Sequence, residues 1–132
     1  MNVILPVTLS AAAAAGIINL WLAMRVGQMR GQTKKIHGDD GGGPLTRRMR
    51  AHLNFVEYTP FVLILIGVIE LAGRGAVWLP YVAGVYMLAR VAHGFGMDSE
   101  SFSKLRGVGI LVTMLTLLGL AIVAVLILLG VM

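Results

Sequence analysis

The stretch RRMRAHLNFVEYTP, Arg47 to Pro60, decides how the chain must be read. It sets Arg50, Asn54, Glu57 and Tyr58 at the mouth of a long apolar run. At about 100° per residue these four fall at roughly 0°, 40°, 340° and 80°, one stripe of a helix. Lipid cannot solvate a cation, an amide, a carboxylate and a phenol. A charge at the membrane centre costs at least about 2.5–3.5 kcal/mol. The stripe must therefore face a partner helix, a water-filled cleft or a ligand.

Composition explains why bilayer depth is at issue. Of 132 residues, 58% are hydrophobic and only 13% charged, against roughly 25% charged in a soluble domain. The chain reads as an all-α integral membrane protein built as a single domain, residues 1–132. It has no cysteine, which removes disulfides, thiolate nucleophiles and cysteine-ligated metals from its own side chains. The formal charge of +5 could suggest nucleic acid. Its basic residues stand beside apolar spans instead, as juxtamembrane cations do, so a lipid bilayer is the expected partner and nucleic acid is not.

Four apolar stretches predict a four-helix bundle with spans over about residues 3–27, 46–72, 76–97 and 105–131, each near the roughly 20 residues that a bilayer requires. The first has Asn19 as its clear polar interruption and a small-residue block, Ser10 to Gly16, that lets another helix approach closely. A cleaved signal peptide would start basic and be shorter, so a retained helix is expected. Between spans one and two, HGDDGGGP (His37–Pro44) reads as a solvated, mobile loop. Its adjacent carboxylates are too few for a hard cation, which takes about six or more oxygens. Thr46 is a possible N-cap. Pro60 tends to kink the second span, and Glu70 is expected to reach the far interface near Arg74. Gly73-Arg74-Gly75 is a tight turn, which makes spans two and three antiparallel neighbours.

The third span opens with Trp78, Pro80 and Tyr81 and closes with Tyr86, Arg90 and His93 on one stripe. The connections after spans one and three hold ten of the eleven Lys and Arg when Arg90 is counted with them. The positive-inside rule then puts both termini on the non-cytoplasmic side and both polar loops inside. Both stripes come to the same end, with Arg106 opening span four and Arg30 closing span one. Such residues can simply staple helices together. Yet Arg30, Arg50, Arg90 and Arg106 outnumber Glu57, so a multiply anionic ligand would balance the cluster. His52 lies off the stripe and reads as structural or interfacial.

RAHLNFVEYTP, Arg50 to Pro60, resembles the signature of the MAPEG superfamily, membrane-associated proteins of eicosanoid and glutathione metabolism. Ala89-Arg90-Val91-Ala92-His93 is similar to the third-helix motif of microsomal prostaglandin E synthases, and the spacing from His93 to Arg106 suits their catalytic arginine. The resemblance implies a homotrimer that holds glutathione, as co-substrate, in clefts between subunits. Arg50, Asn54, Glu57 and Tyr58 would hold its backbone, Glu57 meeting the amino group and the arginines the carboxylates. Arg90 and His93 would line the same pocket, and Arg30 would match a first-helix arginine. Arg106 would be catalytic, stabilising a thiolate that attacks a hydrophobic small-molecule substrate dissolved in the bilayer. Two positions depart from the pattern: Met97 stands where the family has a tyrosine, and Gly107 where the prostaglandin enzymes have a serine. The second argues against prostaglandin isomerisation and leaves thiol conjugation or peroxide reduction. A non-catalytic scaffold or lipid-binding protein of the same fold is the alternative. A small transporter would call for inverted repeats, and none is evident.

Overall fold

The computed structural model describes residues 2–132, and among them every regular element is a helix. α1 is Pro6–Thr33, α2 Pro44–Leu71, α3 Leu79–Gly96 and α4 Lys104–Leu128. α1, α2 and α3 each carry a proline in the first turn, where its fixed φ suits the helix and its missing N–H costs no bond. At 28 residues, α1 and α2 are each about 42 Å long and overrun a hydrocarbon core of about 30 Å. α1, α2 and α4 are long and apolar enough to cross a membrane. α3, with 18 residues, is the shortest, and Arg90, His93 and two tyrosines interrupt its apolar run.

The protein is an all-α integral membrane bundle whose outer surface is apolar. Phe61, Ile64, Leu88, Leu111, Leu115 and Leu118 are all exposed, as a helix facing lipid requires. The core runs from Leu22 and Phe55 through Tyr86 to Val62, Ile66, Leu79 and Leu120. α1 packs mainly on α2, and α3 on α4; α4 also meets α2, and α1 meets α3. The helices thus form a ring in the order α1, α2, α4, α3. α2 and α3 were expected to be close neighbours across a tight turn. They touch least of the contacting pairs, because the connection 72–78 steps across the diagonal.

Two polar features of this frame depart from expectation. Glu70 does not reach toward Arg74. Its carboxylate accepts hydrogen bonds from Val7 N (2.9 Å), Thr8 N (2.7 Å) and Thr8 Oγ1 (2.6 Å), capping the start of α1 from another helix. The first turn of a helix leaves N–H groups without partners, and an anion there also meets the positive end of the dipole. The 34–43 connection is likewise tied down. Asp40 Oδ2 accepts from Leu45 N (2.9 Å), and Oδ1 from Thr46 N (2.9 Å) and Thr46 Oγ1 (2.7 Å). α2 therefore begins at Pro44, with Asp40 in the capping role that Thr46 was expected to play. Desolvation works to raise the Asp40 pKa. The hydrogen bonds from Thr46 and Leu45 outweigh it and hold the group down at about 2.

Candidate functional site

One cleft in the bundle gathers charge, and it opens at the end where α1 and α3 finish. α2 contributes Arg50, Leu53, Asn54 and Glu57, α3 contributes His93 and Met97, and α4 contributes Arg106 and Ile110. The α2 residues recur every three or four positions, so one helix face delivers them. Arg50 and Glu57 are exposed, Asn54 and Arg106 half-buried, and His93 is 2% exposed. The cleft measures about 170 Å³, below the roughly 300–1,000 Å³ of complete small-molecule sites. A larger groove of about 550 Å³ lies between α1 and α3 at the opposite end. Its lining, which includes Ala11, Ala14, Pro80 and Gly84, has no titratable group, so it offers no chemistry.

The expected site residues divide into three groups. Arg50, Asn54, Glu57, His93 and Arg106 are brought together. Arg90 lies beneath them, 1% exposed. It donates to Asn54 Oδ1 (2.6 Å) and Thr113 Oγ1 (2.8 Å), with a longer contact to His93 Nδ1 (3.4 Å). Arg30 and Tyr58 do not line this cleft. Arg30 turns to the 34–43 connection and donates to Gly38 O (2.9 Å) and Lys35 O (3.3 Å). Tyr58 is half-buried, round the edge of the stripe from Glu57.

Arg106 is held in place by the way α3 ends and α4 begins. Ser103 caps α4: its Oγ accepts from Arg106 N (3.2 Å) and donates to Gly96 O (2.9 Å). A Cβ on Gly96 would stand 2.8 Å from Arg106 Cα, and one on Gly109 would stand 2.9 Å from Ala89 O and 3.0 Å from His93 Cα. Only glycine permits backbones to approach this closely. The two glycines thus set His93 and Arg106 across a single helix seam. At Gly107 the room for a side chain is filled by Phe102, whose ring would lie 2.6 Å from an added Cβ.

A second charged network braces the same end. Arg25 is buried against Trp21 and Phe95, with its guanidinium 4.9 Å and 5.3 Å from the ring centroids. It donates to Gly94 O (2.9 Å) and pairs with Asp98, which also meets Arg48 Nε at 3.5 Å. α1 and α2 are thereby tied to the start of the 97–103 connection. Helical period and charge counting do not single out Arg25 or Asp98. The available signal was an acidic residue just past the third span, opposite a cation just past the first. His52, placed off the stripe, bonds Asn19 at 2.8 Å and joins α2 to α1.

Electrostatically the cleft is unbalanced. Among the described residues the ion pairs involve Arg25, Arg47 and Arg48 with Asp98 and Glu100. Arg50, Arg90 and Arg106 pair with no carboxylate, and neither does Glu57 pair with a cation. Arg106 Nε is also buried without a hydrogen-bond partner. Such an arrangement suits a ligand with more than one negative group and one positive group.

Residues 8–126 match the model of the MAPEG family. The chain is similar to the inner membrane protein YecN of Escherichia coli K12, with 29% identity over 92 residues that cover 69% of this chain and 70% of YecN. The protein of the same name from Escherichia coli O6:H1 gives the same identity and coverage. No solved structure matches.

Proposed function

The chain belongs to the MAPEG family, and from that premise we propose that it is a membrane-embedded, glutathione transferase-like enzyme. It binds glutathione as co-substrate, activates it as the thiolate and conjugates it to hydrophobic electrophiles, or uses it to reduce hydrophobic peroxides. The observation that carries this reading is the surplus of cleft cations without ion pairs, Arg50 and Arg106, beside Glu57 as the one lining carboxylate. Glutathione matches that pattern with two carboxylates and one ammonium. Glu57 takes the ammonium; Arg50 and the Asn54 amide take the peptide backbone and carboxylates.

Arg106 stands by the sulfur. A guanidinium there favours the charged form of a thiol whose ordinary pKa is about 8.5. In conjugation with a chlorinated aromatic, the S–C bond forms, the C–Cl bond breaks and chloride leaves with the electron pair. The thiol proton has already passed to water. Leu53 and Ile110 give the cleft an apolar side by which an electrophile enters from the bilayer.

The working form is a homotrimer with its clefts between subunits at the cytoplasmic end and both termini on the opposite side. The small volume of the cleft supports this, since a tripeptide needs a second wall. The second reading is a non-catalytic scaffold or lipid-binding protein of the same fold. Met97 favours it, for it places a thioether in the cleft where the family has a tyrosine.

A glutathione titration of the purified protein separates the readings. Saturable binding with proton release and growth of thiolate absorbance in the ultraviolet supports the enzyme. Binding without a thiolate signal supports the scaffold. Absence of binding removes both the co-substrate and the cleft assignment.

A further inference from the structure

Arg90 carries a charge into the bundle core and spends none of it on the cleft surface. The residue is 1% exposed, and the partners of its guanidinium are neutral: Asn54, Thr113 and the ring of His93. The chemistry of the partners matters. A guanidinium has five donors and no acceptor. Whichever atom of the Asn54 amide faces it at 2.6 Å must therefore be the oxygen. The Asn54 NH2 group is then turned the other way, and Asn54 lines the cleft. The same reasoning makes His93 Nδ1 the acceptor of its longer 3.4 Å contact, so Nε2 carries the proton of the neutral ring.

Thr113 anchors the arrangement from α4. Its Oγ1 accepts from Arg90 at 2.8 Å while its own hydrogen goes to Gly109 O at 2.7 Å. The hydroxyl is thus fixed with its lone pairs toward Arg90. Thr113 is 1% exposed and lies outside the cleft lining.

We propose that Arg90, anchored by Thr113, is a positioning residue that sets the hydrogen-bonding polarity of the cleft, presenting Asn54 as a donor of two N–H groups and selecting ligands that bring carboxylate or carbonyl oxygens to that wall. The proposal deepens the glutathione reading and rests on it for the identity of the ligand. It reassigns Arg90 from a ligand contact to a strut, and it gives Thr113, one of two threonines in an apolar helix, a place in binding.

The test compares Thr113→Val, which deletes the acceptor at nearly constant volume, with Thr113→Ser, which keeps it. Expected for Thr113→Val is a rise of about tenfold in the glutathione Kd, from loss of one charge-assisted hydrogen bond, with an unchanged thiolate signal at saturation. Thr113→Ser stays within about twofold of wild type, a loss too small for a missing hydrogen bond. Adding Asn54→Ala to Thr113→Val changes the Kd less than the sum of the two single effects, since both act through one amide. Additive effects, or a lost thiolate signal, overturn the proposal. A readout free of ligand is the NMR signal pair of the Asn54 NH2, told apart from Asn2 and Asn19 by its disappearance in Asn54→Ala. It moves in Thr113→Val and not in Thr113→Ser; an unmoved signal in both overturns the strut. Should Thr113→Val fail to accumulate in membranes, Thr113→Cys, with its weak sulfur acceptor, replaces it and the same ordering is required. If wild type binds no glutathione, the function reading fails while the strut is still decided by the Asn54 signal.

Discussion

Glu70 at one end of the bundle and Arg50 and Arg106 at the other are treated in opposite ways. At the end where α1 starts, Glu70 meets two backbone N–H groups and a hydroxyl, and its carboxylate is fully used in holding α1 to α2. At the other end Arg50 and Arg106 reach a cleft with no carboxylate bound to either. A satisfied charge is part of the scaffold. A charge placed at bilayer depth and left without its counter-ion is costly, and a ligand that supplies the counter-ion recovers that cost. Position on a polar stripe thus matters less than whether the group's partners are already present.

The contrast rests most heavily on Arg106. Arg106→Ala is expected to lower conjugation of a chlorinated aromatic with glutathione by about 100-fold or more, the scale of losing one charge-stabilising donor. Steady-state rates at saturating glutathione measure it. An unchanged rate would mean that the free cation does no chemistry, and the two ends would then differ only in packing.

Gly109→Ala probes how the charged end is assembled. The added methyl meets backbone, Ala89 O and His93 Cα, which cannot swing aside as a side-chain tip can. Separation of α3 from α4 is expected to cost about 1–3 kcal/mol of stability and to weaken glutathione binding with it. Denaturation in detergent mixtures alongside the titration reads both. Loss of stability with intact binding would show that the seam does not position the cleft.

How much of this was legible follows from the distance over which each residue acts. The stripe Arg50, Asn54, Glu57 could be read because helical period alone fixes a shared face. His93 and Arg106 came to the same level through charge counting, which needs only the order of spans. Arg30 and Tyr58 were expected in the cleft and lie outside it in this chain. Which loop carbonyls Arg30 meets, and where the edge of the stripe falls, depend on tertiary packing that period does not carry. Arg90 was expected to line the cleft and lies beneath it instead, because its partner Thr113 sits on a helix whose rotation nothing in its apolar sequence announces. Glu70 and Asp40 were misread for a related reason. Both cap helices by reaching back to backbone N–H groups, and backbone groups leave no mark in a sequence.

Glu70→Ala tests the scaffold end. It strands Val7 N and Thr8 N and is expected to destabilise the protein by about 1–2 kcal/mol, with glutathione Kd and conjugation rate unchanged. An equal loss of binding would erase the distinction between a charge that holds the frame and charges that hold a ligand.

The mildest effect is expected at Asp40. Its pKa lies at about 2 in the folded protein, against 3.8 for an unperturbed aspartate. The folded state therefore favours the ionised form. The resulting stabilisation is complete above about pH 4 and is lost as pH falls through about 2, below which both states are protonated. The difference between wild type and Asp40→Ala isolates the contribution of this group. Denaturation of both proteins at intervals from pH 5 to pH 2 should show a gap that is steady at first and then narrows steadily with acid. A gap that held constant to pH 2 would mean that the cap acts through shape and neutral hydrogen bonds, and that the 34–43 connection needs no charge to start α2. The carboxylate would then differ in kind from Glu57, which has no hydrogen-bond partner of its own in the cleft wall and is left to a ligand's positive group.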